Sequence, residues 1–166
     1  MADAEDIRVA TITISDTRTE ADDEGGRRLR KLLAEAGFAL SDHTIVRDEP
    51  DEVRRAIEHS AVDGVDAIVT TGGTGIAPRD QTYEAIVGML EKKLDGFGEA
   101  FRRLSWDQIG PHAILSRAIA GTWRGRIIVS LPGSPKALDL AVSALLAPVL
   151  PHAVFLASGK GAHPRT

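Results

Sequence analysis

Four polar segments of the chain combine residue types that could bind an anion or position a carboxylate. They are Ser15-Asp16-Thr17, Arg47-Asp48-Glu49, Gly72-Gly73-Thr74-Gly75 and Pro132-Gly133-Ser134-Pro135-Lys136. In the third, glycines remove the Cβ barrier to positive φ and let backbone amides approach a phosphate, and a helix starting soon after adds its N-terminal partial charge. A tight strand-to-helix turn without a ligand is the other reading of the same residues. The familiar phosphate fingerprints are absent: Pro78 stands where GxGxxG needs its third glycine, and no GxxxxGK[ST] occurs. In the fourth segment a Pro-Gly turn leads to a serine able to cap a helix, with Lys136 in the helix's first turn. A lysine there opposes the helix dipole unless an anion compensates, or unless it extends into solvent.

Two carboxylates are notable by position. Asp48 follows a strand and Asp80 closes the glycine loop, where an acid can bind Mg2+, orient a hydroxyl or act as general base. With 24 acidic residues in the chain, solvated or capping acids are the alternative. The histidines at 43, 59, 112, 152 and 163 share no spacing and form no HExxH, which argues against zinc. Ser15, Ser116 and Ser134 have no GxSxG elbow and no evident histidine partner, which argues against hydrolase chemistry. The tryptophans and phenylalanines read as core or interface, with Phe97 between two glycines marking a close-packed turn.

The elements that must position these segments are legible in the periodicity. Residues 7–15 alternate β-branched and smaller residues, as a strand does. A helix follows over 26–36 with Leu29, Leu32 and Leu33 at helical spacing and Gly37 as its stop. A strand over 38–46 and a helix over 52–62, with Val53, Ile57 and Ala61 on one side, repeat the unit. The apolar run 65–71 reads as a strand buried on both faces of a parallel sheet. Residues 81–94 read as a helix, 127–133 as a further buried strand, and 134–158 as two helical segments separated by a kink or break at Pro148 and Pro151. Residues 95–125 mix helical stretches with glycines at 96, 98, 110, 121 and 125 and receive no single element. The alternation predicts an α/β fold, a three-layer α/β/α sandwich on a mostly parallel sheet. In such a sheet ligands bind beyond the carboxyl ends of the strands, so the four polar segments are expected to converge on one pocket.

The chain has 166 residues, enough for one core, and the reading is a single domain over 1–157 with a flexible tail over 158–166. Hydrophobic residues at 43% and charged residues at 27% are ordinary globular values. A net charge of −4 gives no basic footprint for nucleic acid. The absence of cysteine excludes disulfides, thiolate zinc ligands and thiol nucleophiles. The N-terminal residues are acidic where a signal peptide is basic, and no segment approaches the roughly 20 apolar residues of a membrane span, so a cytoplasmic location without membrane association is expected.

The stretches TTGGTGIAPRDQTYEAI, GFGEAFRRLS, AILSRAIAG and LPGSPKAL, in this order and spacing, resemble the MoaB/MogA family of molybdenum cofactor biosynthesis proteins, which includes the gephyrin G domain. DQTYEAI and FRRLSWDQIG are closer to the MoaB branch. The resemblance implies a MogA-like molybdopterin-binding fold, self-association as a trimer or hexamer, and work beside other cofactor biosynthesis proteins. Its adenylyltransferase members use ATP and Mg2+ to attach AMP to the molybdopterin phosphate with release of pyrophosphate; GTP is the nucleotide to compare. It assigns Asp48 and Asp80 as active-site acids, and Gly72, Gly73, Thr74 and Gly75 as the phosphate loop. Ser15, at the end of the first strand, and Ser116, Pro132, Gly133, Ser134 and Lys136 complete the pocket. Two alternatives stand beside catalysis: a MoaB-type protein that binds molybdopterin or nucleotide without turnover for a separate adenylyltransferase, and an oligomeric scaffold.

Overall fold

Alternation of apolar side chains along the central strands sends successive residues into two different helical layers. The computed structural model describes residues 3–160; residues 161–166 of the expected tail lie outside it. The strands are β1 (Arg8–Ile14), β2 (Ala39–Val46), β3 (Ala67–Thr71), β4 (Lys92–Lys93), β5 (Ile119–Trp123) and β6 (Arg126–Leu131). They form one sheet in the order β2-β1-β3-β6-β5-β4. The first four in that order run parallel, and β5 pairs antiparallel with both β6 and β4. The helices are α1 (Glu24–Glu35), α2 (Pro50–Ser60), α3 (Thr82–Val87), α4 (Asp95–Ile109), α5 (Pro135–Ala141) and α6 (Ala147–Ala157).

Val9, Ala67, Val69, Ile127 and Val129 pack with Leu29 and Leu33 of α1, Phe101 of α4, and Leu138, Leu150 and Val154 of α5 and α6. Their neighbours Ala10, Ile12, Ile68 and Ile128 face the opposite way, onto Val53 and Ile57 of α2 and Ala85 and Ile86 of α3. This period of two is what buries both faces of a parallel sheet and yields the three layers.

The structure departs from the expected elements in three places. The helix expected over 81–94 is only α3; the chain turns after Gly88, and Lys92–Lys93 pair with Thr122 and Gly121. Glu and Lys favour helices, so two edge residues held only by pairing leave no local signal. The unassigned region 95–125 resolves into α4, a 3-10 turn (Gly110–Leu115) and β5. β5 joins β6 through Arg124 and Gly125, both at positive φ, as the type I′ form of a two-residue hairpin turn requires. Finally, no break separates α5 from α6. A π-helical turn over Val142–Leu146 joins them into a 23-residue run, and its widened winding precedes Pro148, whose ring and missing N–H an α-turn would not accommodate.

By length and composition that run, Pro135–Ala157, could cross a membrane, which corrects the expectation that no segment comes near doing so. In the fold it buries Leu138, Ala141, Val142, Leu146, Leu150 and Val154 against the sheet, while Val149 and Leu156 remain 54% exposed each.

Candidate functional site

Because β1, β2, β3 and β6 are parallel neighbours, their carboxyl ends open on one side of the sheet, and four polar segments meet there. Ser15 follows β1; its amide donates to Val46 O, and its hydroxyl accepts from the Thr17 and Arg18 amides at 3.2 and 3.1 Å. Gly72 follows β3 at φ +103°, and its amide donates to Leu131 O of β6 at 2.9 Å. The next turn is equally close: a Cβ built on Gly133 would lie 3.7 Å from Gly72 Cα. Thr71 Oγ1 donates to Pro132 O at 3.0 Å. A cavity of about 320 Å³ lies among these ends, lined by Thr13, Ser15, Asp23, Gly25, Gly72 and Gly133.

Asp48 is only 5% exposed, so the solvated-acid alternative does not hold for it. Its carboxylate accepts from the Gln81 amide at 3.2 and 3.3 Å and from the Thr82 hydroxyl at 3.1 Å, tying the end of β2 to the start of α3. Burial pushes the Asp48 carboxyl above its ordinary value, and the nearby charges of Asp80 and Asp16 push the same way against those hydrogen bonds. Gly73, at φ +71°, lets the loop pass over this acid: a Cβ there would lie 2.0 Å from Thr82 Oγ1 and 2.5 Å from Asp48 Oδ2. Asp80 is half-buried and accepts from the Ala77 amide at 2.8 Å, closing the loop on itself. A Cβ on Gly75 would lie 2.7 Å from Asp80 Oδ2. Each of these loop glycines therefore abuts a carboxylate.

Two arginines that sequence reasoning passed over fix the loop. Arg79 pairs with Asp16 through Nε and Nη2 at 3.0–3.1 Å and with Glu49 through Nη1 at 2.9 Å, latching the loop to the ends of β1 and β2. The Arg79 guanidinium, with the Asp48 amide, holds the Asp16 carboxyl below its ordinary value. Arg117 donates to Gly75 O at 2.9 Å and Asp80 O at 3.0 Å, pairs with Glu84, and stacks its guanidinium 5.0 Å from the Tyr83 ring centre. Arg79 was visible only as Asp80's neighbour in sequence, and its actual partners lie 63 and 30 residues away, a distance no local pattern spans.

Of the expected residues only Ser15, Gly72 and Gly133 line the strand-end cavity; Asp48, Asp80, Gly73, Thr74, Gly75, Pro132, Ser134 and Lys136 do not. Ser116 lines a second cavity of about 340 Å³ with Tyr83, Arg102 and Arg117, and its hydroxyl is buried without a hydrogen-bond partner. Thr70 and Ser130, register partners on β3 and β6, also have buried hydroxyls without partners, so Ser116 differs from them only in lining a cavity. Ser134 caps the helix as expected, accepting from the Ala137 amide at 3.2 Å. Lys136 is exposed in the first turn of α5 and forms no ion pair among the described residues. Thr74 is buried, with its carbonyl accepting from the Arg117 amide. Among the described residues no three acids or histidines gather as a group that could hold a metal ion.

The geometry can therefore offer glycine-loop amides, two carboxylates in different environments and an orphan hydroxyl, but no activated nucleophile. Comparison with known proteins bears on what this serves. The family profile described as "Probable molybdopterin binding domain" matches residues 10–152. The molybdenum cofactor biosynthesis protein B of Staphylococcus carnosus is 43% identical over 152 residues, which is 90% of this chain and 89% of that protein. A crystal structure of a molybdenum cofactor biosynthesis protein B superimposes with a TM-score of 0.89 at 41% identity, covering 94% of this chain and 98% of the other. The tungsten cofactor synthesizing protein MoaB of Pyrococcus furiosus gives 0.85 at 34% identity, covering 92% and 97%.

Proposed function

The chain belongs to the molybdopterin-binding family of molybdenum cofactor biosynthesis proteins, and from that premise we propose that it binds molybdopterin across these strand ends and adenylylates its phosphate. An oxygen of the molybdopterin phosphate attacks the α-phosphorus of ATP. The new P–O bond forms as the bond to the β-phosphate breaks, and pyrophosphate leaves. Such a transfer depends on positioning and charge stabilisation and needs no covalent nucleophile, which matches the chemistry present. The observation that carries the reading is the pair of unlike acids on either side of the glycine loop, Asp48 buried and Asp80 half-buried. Magnesium in such reactions is held by one or two carboxylates plus substrate phosphates, and Asp48 and Asp80 would be the carboxylates to hold it here. In this proposal the loop amides and Lys136 would hold the phosphates, and the cytoplasm is the expected compartment.

A pyrophosphate-release assay with molybdopterin and Mg-ATP, run beside Mg-GTP, tests this. Release that requires both molybdopterin and nucleotide is expected. Saturable binding with no release would replace the reading with that of a binding protein serving a separate adenylyltransferase.

Self-association is part of the same proposal. An apolar groove of about 360 Å³ runs between α4 and α6, lined by Leu94, Phe97, Leu145, Val149 and Ala153, and Leu94, Val149 and Leu156 are exposed around it. An apolar face of this extent favours burial against further copies. Light scattering at micromolar concentration is expected to give the mass of three or six chains, and a monomeric mass would refute it.

A further inference from the structure

Between α1 and the first two strands lies a polar cluster that neither the glycine loop nor the acid pair uses. His43 on β2 stands opposite Thr11 on β1, and its Nδ1 is 2.8 Å from the Thr11 hydroxyl. Its Nε2 is 2.9 Å from Asp23 Oδ2. The same oxygen accepts from the Thr13 hydroxyl at 2.8 Å, while Asp23 Oδ1 accepts from the Gly26 amide at 2.9 Å and so caps α1. Thr11, Thr13 and Asp23 are 0%, 5% and 3% exposed.

The Asp23 carboxylate can only accept, so His43 Nε2 carries a proton and donates it to Asp23. Thr11 Oγ1 accepts from Arg30 Nη1 at 3.1 Å, and with Nδ1 of the neutral ring bare its own hydrogen donates to that nitrogen. Burial pushes the Asp23 carboxyl up, yet the hydrogen bonds from His43, Gly26 and Thr13 outweigh it and hold the group below its ordinary value.

This cluster is one layer from the strand-end cavity. Thr13 and Asp23 line the cavity, and His43 lies behind them on a groove along the sheet edge with Asp42, Glu52, Arg55 and His59. The first turn of α1 has no slack between the two. A Cβ on Gly26 would lie 2.2 Å from Asp23 Oδ2, and one on Gly25 would lie 3.2 Å from Gly133 O.

We propose that His43 is a positioning residue for the cavity: by donating to Asp23 it fixes that carboxylate and the first turn of α1, and thereby sets the affinity for the ligand. The affinity part rests on the reading of the cavity as the molybdopterin site; the positioning part does not. Nitrogen-15 NMR of the ligand-free protein is expected to show His43 protonated at Nε2 with Nδ1 accepting a hydrogen bond. His43→Leu, which fills similar space without a donor, is expected to speed exchange of the Gly26 amide and weaken molybdopterin binding, each by about tenfold, the scale of a lost hydrogen bond to a charged group. His43→Gln, whose side-chain amide can donate near the Nε2 position, is expected to recover most of both. In the pyrophosphate assay the loss falls on KM, with kcat little changed. Unchanged Gly26 exchange in His43→Leu, or failure of His43→Gln to recover it, overturns the positioning role. Absence of molybdopterin binding by the unaltered protein overturns the ligand reading and the affinity part together, and the exchange measurement still decides whether His43 fixes Asp23.

Discussion

Asp48→Asn is expected to lower pyrophosphate release by at least about a hundredfold, the scale for losing a key acid-base or positioning group, while making the folded chain more stable at pH 7. The two effects share one cause. The Asp48 carboxyl is held above its ordinary value chiefly by burial, so the folded state holds this proton more tightly than the unfolded state does. Its contribution to stability is therefore present below the unfolded pKa, near 4, and is lost as pH rises through the folded value. At neutral pH the buried charge is a cost that the hydrogen bonds from Gln81 and Thr82 only partly offset. Asparagine keeps an oxygen to accept those bonds and removes the charge. A gain on the order of 1 kcal/mol, or about 2–4 °C in Tm for a chain of this size, is expected. Measured from pH 4 to pH 8, the difference in Tm between variant and parent should grow as the pH rises. A variant that loses stability at pH 7 and keeps its turnover would show that Asp48 is a structural acid. Asp80→Asn provides the contrast: Asp80 is half-buried and accepts from the Ala77 amide within its own loop, so a similar loss of activity is expected without the same gain in stability.

The positions of the two acids were legible in the sequence because Asp48 follows the end of β2 and Asp80 ends the loop between β3 and α3, and those boundaries are set by local pattern. β3 reads without ambiguity, since Ala67, Ile68 and Val69 form the apolar run of a strand buried on both faces, its two threonines are β-branched, and it is followed at once by glycine. The polar groups supporting the site were not legible. Arg79 sits beside Asp80 in sequence yet pairs with Asp16 and Glu49. His43 was set aside with the other histidines for want of a ligand spacing, because its partners come from β1 and the N-cap of α1 and are brought together only by the register of β1 with β2. One available signal was the run Ser-Asp-His-Thr at positions 41–44, which puts polar residues inside a strand that neighbours an apolar one. Lys136 shows the opposite limit. Its place in a helix's first turn was read correctly, but helix phase alone does not tell whether a flexible side chain turns toward a pocket.

Gly72→Ala is expected to destabilise the chain by about 3–5 kcal/mol, combining the cost of positive φ in a residue with a Cβ with that of overpacking against fixed backbone. Gly72 has φ +103°, and a Cβ there would lie 2.2 Å from Ile14 O, the final carbonyl of β1. Moving φ to a negative value would break the bond from its amide to Leu131 O, and moving β1 would disturb strands paired on both sides of it. Neither relief is small. Gly64 is the internal control, since it also has positive φ, +84°, but no atom lies within 4 Å of its built Cβ; Gly64→Ala is expected to cost only the conformational part, about 1–2 kcal/mol. Urea denaturation of both variants separates the terms. Equal losses would mean that the close approach of β1, β3 and β6 does not constrain position 72. A loss several times larger at Gly72 would mean that the first glycine of the loop is required by the meeting of the strands whether or not a phosphate binds. Any evidence for an anion cradle then rests on the residues beyond it, where Gly73 and Gly75 abut Asp48 and Asp80. Turnover measured at those two positions, and not sequence pattern at Gly72, is what distinguishes a catalytic loop from a tight turn.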